Sequence, residues 1–372
     1  MTVAGQAQTR RELLAVPASM TALVYHGTND VRLQTVPVPE IGPGELLVRV
    51  HTCGICGTDL KKIFGGTHSA PRIFGHETAG IIVRTGTGVT GYHPGDRVLF
   101  FHHMPCGDCF YCRKKVYAQC PTYKKVGCTA GYEPSGGGFS EFVKVSDWIV
   151  QLGGVVHIPE GYSFERSSFV EPANTCIKAI HALALQPDEK VLVIGQGPIG
   201  ILLALLAKRT GAQVITSDLF PQRLTMAKAF GLRADIDASI TDTVSAIHAQ
   251  TEGRGADVVI LAVGGSSLIR TAMDAARPGG RIMLFAQTAR GEAVIDPAAV
   301  CVDEKTLLGS YSASVDIQEE TVRYVFSREL DFERLISHRF PLSQAVEALR
   351  LAAHPKPDTM KLVIQPGSAW EE

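Results

Sequence analysis

Four cysteines crowd into fifteen residues, Cys106-Gly-Asp-Cys109-Phe-Tyr-Cys112 followed by Cys120. Thiolates spaced C-x2-C-x2-C-x7-C can surround one Zn²⁺ tetrahedrally, each sulfur about 2.3 Å from the ion. A site with all four positions filled pins a lobe rather than performing chemistry. An iron–sulfur cluster fits less well, because there is no second ligand set and the fourth spacing is not that of a ferredoxin. A second set of metal-binding types is dispersed: Cys56-Gly-Thr58-Asp59, Gly75-His76-Glu77-Thr-Ala-Gly80 and Glu171-Pro172. One thiolate, one imidazole and two carboxylates suit a catalytic zinc that keeps a position open for water or substrate. On spacing alone Cys53 competes with Cys56 for the thiolate role. The chain holds nine cysteines, an odd number, and their clustering in a long chain reads as metal binding rather than a disulfide framework. Cys128, Cys176 and Cys301 read as small buried hydrophobes.

A glycine turn, Gly195-Gln-Gly197-Pro198-Ile199-Gly200, directly follows the apolar run Val191–Ile194 and opens a helical pattern. In that context the first glycine makes the tight turn, the second lets backbone approach a pyrophosphate, and the third lets helix and strand pack closely. The helix N-terminal N–H groups then face the phosphates. The next strand ends at Asp218, a carboxylate placed to accept from adenosine ribose hydroxyls and to repel a 2′-phosphate. The expected cofactor is therefore NAD, with Arg223 the nearby cation that would accommodate NADP. Val263, Phe285, Ala286 and Gln287 complete the candidate cofactor contacts.

These residues need a scaffold of ordinary globular kind. At about 150 residues per domain, 372 residues imply two domains. Basic and acidic residues number 36 and 37, a net charge of −1, and the basic pairs are short and scattered. A nucleic-acid or acidic-membrane partner is therefore not expected. The longest apolar run, Ile199–Ala207, is too short to span a bilayer, and the start has no signal-peptide core; a cytoplasmic protein is expected. Residues 1–19 read as a loose extension. From Thr21 to about Ile158 short apolar runs alternate with Gly and Pro, indicating a β-rich domain with long loops. From Lys190 strands (213–218, 234–237, 257–263, 281–285) alternate with helices (199–210, 222–230), the pattern of a parallel α/β sheet. The chain then turns helical and ends in a short strand at Lys361-Leu-Val-Ile, too small to stand alone.

Taken together, these motifs resemble the zinc-dependent medium-chain dehydrogenases, the zinc alcohol dehydrogenase family. The pattern G-H-E-x2-G-x5-G-x2-V is met by Gly75, His76, Glu77, Gly80, Gly86 and Val89, and the cysteine lobe and glycine turn follow in the family's order over residues 20–366. The resemblance implies an α/β protein with a GroES-like catalytic domain (20–172) bearing the structural zinc lobe, a Rossmann domain (173–310) and a return to the catalytic domain (311–372). It makes Cys56 the thiolate ligand and leaves Cys53 as packing. His76 becomes the second ligand, Glu77 a ligand or a group directly behind the metal, and Asp59 the carboxylate that orients His76. Glu171 stands where alcohol dehydrogenases have cysteine and sorbitol dehydrogenase-like members glutamate, which points to the polyol and threonine dehydrogenase branch. Thr58 matches the hydroxyl that passes the substrate proton, and Thr175 a residue packing on the nicotinamide. Two positions depart from the pattern. Lys61 replaces the relay histidine of alcohol dehydrogenases, and Ser312, two residues after Ser310, replaces an arginine of sorbitol dehydrogenases. The implied activity is hydride transfer from a secondary alcohol (a polyol, cyclitol or sugar alcohol) to NAD⁺ through a zinc-bound alkoxide. Two Zn²⁺ per chain and a homodimer or homotetramer are implied with it. The alternatives are an L-threonine 3-dehydrogenase-like or other alcohol dehydrogenase, a zinc-independent reductase of the same superfamily, and a non-catalytic zinc-ribbon interaction protein.

Overall fold

Among the described residues, runs of apolar residues punctuated by Gly and Pro form eight strands in the first part of the chain. These are β1 (Ser19–Gly27), β2 (Asp30–Pro37), β3 (Leu46–Gly54), β4 (Arg72–Ile73), β5 (Glu77–Thr85), β6 (Arg97–Phe100), β7 (Phe142–Val145) and β8 (Val155–His157). Strands then alternate with helices through β9 (Lys190–Ile194), β10 (Gln213–Asp218), β11 (Ile236–Asp237), β12 (Ala256–Leu261), β13 (Ala276–Leu284) and β14 (Thr306–Gly309). After a helical stretch come β15 (Ile336–Pro341) and β16 (Lys361–Gln365). The computed structural model describes residues 14–101, 104–125, 136–233, 235–286 and 291–366, leaving out the side chains of Lys124 and Lys125. Residues 1–13 of the expected extension, His102, His103, Cys128, Ala234 and Gln287 lie outside the described residues.

The chain forms two compact units, one of residues 1–171, 318–355 and 361–372, the other of 172–317 and 356–360. The first holds a three-stranded sheet, β2-β1-β4, and a seven-stranded sheet, β15-β16-β3-β5-β6-β8, with β7 also on β3. Strand β3 is the hub. Its end pairs with β5, Cys53 opposite Thr78 and Gly54 opposite Glu77, and with β16, Val363 opposite Gly54. Residues far apart in sequence therefore meet at Gly54. The second unit is a six-stranded parallel sheet, β11-β10-β9-β12-β13-β14. Its strand order reverses at β9, and ligands of open parallel sheets bind at such a switch point, outside the strand carboxyl ends. Val191, Leu192, Val193, Val258, Val259 and Ile260 are fully buried. Strands covered on both faces read as continuous apolar runs rather than alternations.

Residues 311–317, expected to travel with the C-terminal return, belong instead to the second unit. Two side chains of that unit hold the segment: Asn174 Nδ2 donates to the Ser314 carbonyl at 3.0 Å while its Oδ1 accepts from the Ser314 N–H at 2.7 Å, and Lys178 Nζ donates to the Tyr311 carbonyl at 2.8 Å. Residues 356–360 join the second unit as well, where the Thr359 carbonyl lies 3.5 Å from Arg223 Nη2. The division on the N-terminal side falls between Glu171 and Pro172, which leaves Glu171 in the first unit. Strand β13 begins at Ala276, before the expected Arg281. Among the described residues, no helix is long and apolar enough to cross a membrane.

Candidate active site

Strand β3 delivers Cys56 to the N-cap of the helix Gly57–Gly65, where its backbone N–H donates to Asp59 Oδ2 at 3.1 Å. Asp59 is fully buried, and its Oδ1 lies 3.0 Å from His76 Nδ1. That bond fixes the proton on Nδ1 and aims the Nε2 lone pair away from the carboxylate, as a metal-ligating histidine requires. The sulfur of Cys56, a ring nitrogen of His76 and a carboxylate oxygen of Glu77 all lie within 4.8 Å of one another. Thr58 Oγ1 donates to Cys56 Sγ at 3.3 Å and lies 3.4 Å from His76 Nε2. Burial opposes a charge on His76, but the Asp59 carboxylate and the Cys56 sulfur outweigh it and raise the imidazole well above its usual range. A metal entering this set must therefore displace a proton. Soft sulfur, imidazole and carboxylate together are a zinc donor set, and the residues present fit that ion.

Cys53, the rival on spacing, does not join this set. Its sulfur is buried 3.5 Å from Thr78 Oγ1, and burial pushes the thiol up. A Cβ at Gly75 or Gly138 would press on that sulfur, at 2.9 and 2.5 Å, so both glycines are packed around it. Glu171 falls outside the 4.8 Å group but lines the same small cavity as His76 and Glu77, with Phe100 and Phe101 in its wall. Burial pushes its carboxyl up to about 7, with His76 and Lys361 pulling down and Glu77 and Asp59 pulling up. A bound divalent cation would be the largest local charge and would favour the ionised form.

The sequence reading missed one member of the site, Lys361. Its ammonium is ion-paired with the Glu77 carboxylate and donates to the Ile55 carbonyl at 3.0 Å, with side-chain exposures of 7% for Lys361 and 1% for Glu77. A side chain at Gly54 would overlap the Glu77 carboxylate, so the glycine is what leaves room for the pair. The available signal was a charged residue opening an otherwise apolar terminal strand.

The cysteine lobe gathers Cys106, Cys109, Cys112 and Cys120 within 4.8 Å of one another. Sulfur separations are 3.9 Å for Cys106–Cys112, 3.4 Å for Cys109–Cys112 and 3.7 Å for Cys106–Cys120. Four sulfurs at zinc–thiolate bond length in a tetrahedron stand about 3.8 Å apart, so the cage has the dimensions of a zinc site. Although burial resists it, N–H groups around Cys120, including that of Cys106, bring its thiol down to about 6 and favour the thiolate.

In the second unit Gly195 adopts φ +95°, and a Cβ at Gly200 would collide with the Gly195 carbonyl. Only glycine allows that approach at the start of the helix Pro198–Arg209, which has Gly197 at its N-cap and Pro198 and Ile199 in its first turn. Asp218 does more than expected: Oδ2 accepts from the Gln196 N–H at 2.6 Å and Oδ1 from the Phe220 N–H at 2.8 Å, fastening the glycine turn to the end of β10. Each carboxylate oxygen keeps a second lone pair for a ribose hydroxyl. Arg223 stacks over Phe220, its guanidinium 5.0 Å from the ring centre. Val263 is 39% exposed, and a Cβ at Gly195 would lie 3.1 Å from it. Phe285 and Ala286 follow β13, the Ala286 N–H donating to the Leu261 carbonyl at 3.1 Å. Thr175 is held within its own helix, its hydroxyl donating to the Pro172 carbonyl at 2.8 Å.

Residues 42–158 match the alcohol dehydrogenase GroES-like domain and residues 198–327 the zinc-binding dehydrogenase domain. The chain is 31% identical over 351 residues to the sorbitol dehydrogenase of Mus musculus, covering 91% of this chain and 95% of that one. The crystal structure of 2R,3R-butanediol dehydrogenase from Bacillus subtilis is similar at TM-score 0.81 and 27% identity, covering 94% of this chain and all of that one (100%). The NADP-bound structure of a Sinorhizobium meliloti protein is similar at TM-score 0.83 and 27% identity, again over 94% and 100%. With matches of this length to both domains and to a complete relative, the chain belongs to the zinc-dependent medium-chain alcohol dehydrogenase family, on its sorbitol dehydrogenase-like branch.

Proposed function

We propose that this dehydrogenase oxidises a secondary alcohol, of the polyol, cyclitol or sugar-alcohol class, by hydride transfer from its carbinol carbon to C4 of NAD⁺. The observation that carries the reading is the joint placement of Cys56, His76 and Glu77 within 4.8 Å, with Asp59 behind the imidazole. Cys56, His76 and a carboxylate from Glu77 or Glu171 would hold a zinc, and the cysteine lobe a second, structural one. When bound, the catalytic ion lowers the pKa of a substrate hydroxyl. Thr58 Oγ1 takes up the released proton and passes it on; Asp59 keeps His76 in the ligating tautomer. The glycine turn at 195–200 takes the pyrophosphate and Asp218 the adenosine ribose, which favours NAD over NADP. The sorbitol dehydrogenase and butanediol dehydrogenase relatives both carry names of secondary-alcohol chemistry and support the substrate class.

The test is reduction of NAD⁺ or NADP⁺ by a panel of polyols, inositols, primary alcohols and threonine, beside metal analysis. About two zincs per chain are expected. Cys56→Ala and His76→Ala should each abolish turnover while dinucleotide binding survives. Full activity in either variant would overturn the mechanism.

A further inference from the structure

The parallel sheet of the second unit ends in the strand pair β13 and β14, with Gly309 opposite Leu284. Parallel strands leave a sheet on the same side. Segment 310–314 therefore emerges beside Phe285 and Ala286, at the carboxyl ends where open sheets bind their ligands. Two residues on one face of the helix Val170–Leu183, Asn174 and Lys178, grip that segment. Asn174 bonds both polar groups of the Ser314 backbone, and Lys178 Nζ donates to the Tyr311 carbonyl and lies 3.4 Å from that of Ser312. Between these anchors Ser312 takes φ +60°, a left-handed conformation that costs a non-glycine residue and persists only where the surroundings over-determine it. Burial lowers the pKa of the Lys178 ammonium, and the Asp316 carboxylate offsets that only in part. Ala313 and Ser314 are buried, whereas Tyr311 is 49% exposed. The segment is thus rooted at its far end, and a half-desolvated cation and a strained serine fix the shape of its exposed first residues.

We infer that Lys178 is a positioning residue for the dinucleotide, holding residues 310–312 in the shape that receives its nicotinamide half. The inference rests on the dinucleotide reading and deepens it. The sheet order β11-β10-β9-β12-β13-β14 puts Asp218, at the end of β10, on one side of the glycine turn and segment 310–314 on the other. A dinucleotide with its adenosine at Asp218 and its pyrophosphate at the turn extends its other half across β12 and β13 towards that segment. Lys178 acts there through the backbone of Tyr311 and Ser312, two charge-assisted bonds to neutral carbonyls.

The test titrates the full chain with NADH and with ADP-ribose, which lacks the nicotinamide, by calorimetry. The wild type should bind NADH more tightly than ADP-ribose. Lys178→Met should weaken NADH about tenfold and leave ADP-ribose within about twofold. Lys178→Arg, which keeps a charged donor, should restore NADH. Retained ADP-ribose binding also reports that the unit is folded. Equal losses for both ligands would reduce Lys178 to a structural tie, and an unchanged NADH affinity would show that the shape of 310–312 is immaterial; either overturns the inference. So would an arginine variant as weak as the methionine one, or a wild type that binds the two ligands equally. A wild type that binds neither ligand would instead bring down the dinucleotide reading itself, and the inference with it.

Discussion

Lys361→Met would strip the cation from Glu77, a carboxylate whose side chain is 1% exposed. Breaking a buried pair by removing one partner costs about 3–5 kcal/mol, because the remaining charge is left uncompensated. A divalent ion beside Glu77 would replace much of the lost attraction. The thermal midpoint of the variant should therefore fall well below wild type after chelation and recover most of the loss when zinc is restored. An equal deficit with and without zinc would show that Glu77 does not sense the metal. Position 361 was illegible in the sequence for a physical reason. It lies 306 residues from Ile55, whose carbonyl it meets, and the encounter exists only because β16 pairs with the end of β3. The candidate ligands Cys56, His76 and Glu77 could be picked out because local chemistry marks them: Cys56 is bonded to Asp59 within one turn, and His76 and Glu77 are adjacent. The choice between Cys53 and Cys56 was not a matter of spacing. The resemblance favoured Cys56, and the structure groups the Cys56 sulfur with His76 and Glu77 while Gly75 and Gly138 pack around that of Cys53.

At the scale of elements, the glycine turn and the cysteine lobe are separable devices. Gly200→Ala places a methyl group against the Gly195 carbonyl, so the helix Pro198–Arg209 must move away from the turn. Dinucleotide affinity should fall at least about tenfold, since the N–H groups no longer converge on the pyrophosphate, while zinc content stays at the wild-type level. Cys112→Ser should do the reverse, removing one zinc per chain and lowering the thermal midpoint while the turn still binds dinucleotide; fluorescence titration and metal analysis on both variants check the pair. Unchanged dinucleotide binding by Gly200→Ala would refute the role given to the turn. The turn could be read in advance because glycine spacing, a preceding apolar strand and a following helix are all local. The anchoring of Asp218 could not, since its bonds to the Gln196 and Phe220 N–H groups depend on β9 lying beside β10. The strand edges were also hidden: β13 begins at Ala276, where pairing with Ala256 overrides the apparent turn at Pro278-Gly-Gly.

For the molecule as a whole, the two-part plan was visible in the change from β-rich texture to strand–helix alternation. The exact membership of 311–317 was not, because it depends on side chains far back in sequence, Asn174 bonded to Ser314 and Lys178 bonded to the Tyr311 carbonyl. Two units with separate cores make a single unfolding free energy ill-defined, but acid should expose the second unit through Asp257. This carboxylate accepts from the Lys190 N–H at the start of β9 at 2.8 Å and from Arg277 Nε at 2.6 Å, tying three strands at one end of the sheet. Burial resists its ionisation, yet the Arg277 and Lys190 bonds more than compensate and hold it below the usual 3.8. A carboxyl depressed on folding adds stability above its unfolded value, near 3.9, and forfeits it as pH falls through the folded value. With the pair partly exposed, at 33% and 19%, the contribution is on the order of 1 kcal/mol. Asp257→Asn should therefore unfold at lower temperature than wild type at pH 7 and by the same margin at pH 5. The margin should narrow below about pH 4, where the carboxyl of the unfolded chain begins to take up its proton, and vanish once the folded carboxyl is protonated too. Calorimetric scans across that range measure it, and a margin that holds constant down to pH 3 would mean that the charge of Asp257 contributes nothing and only its shape matters.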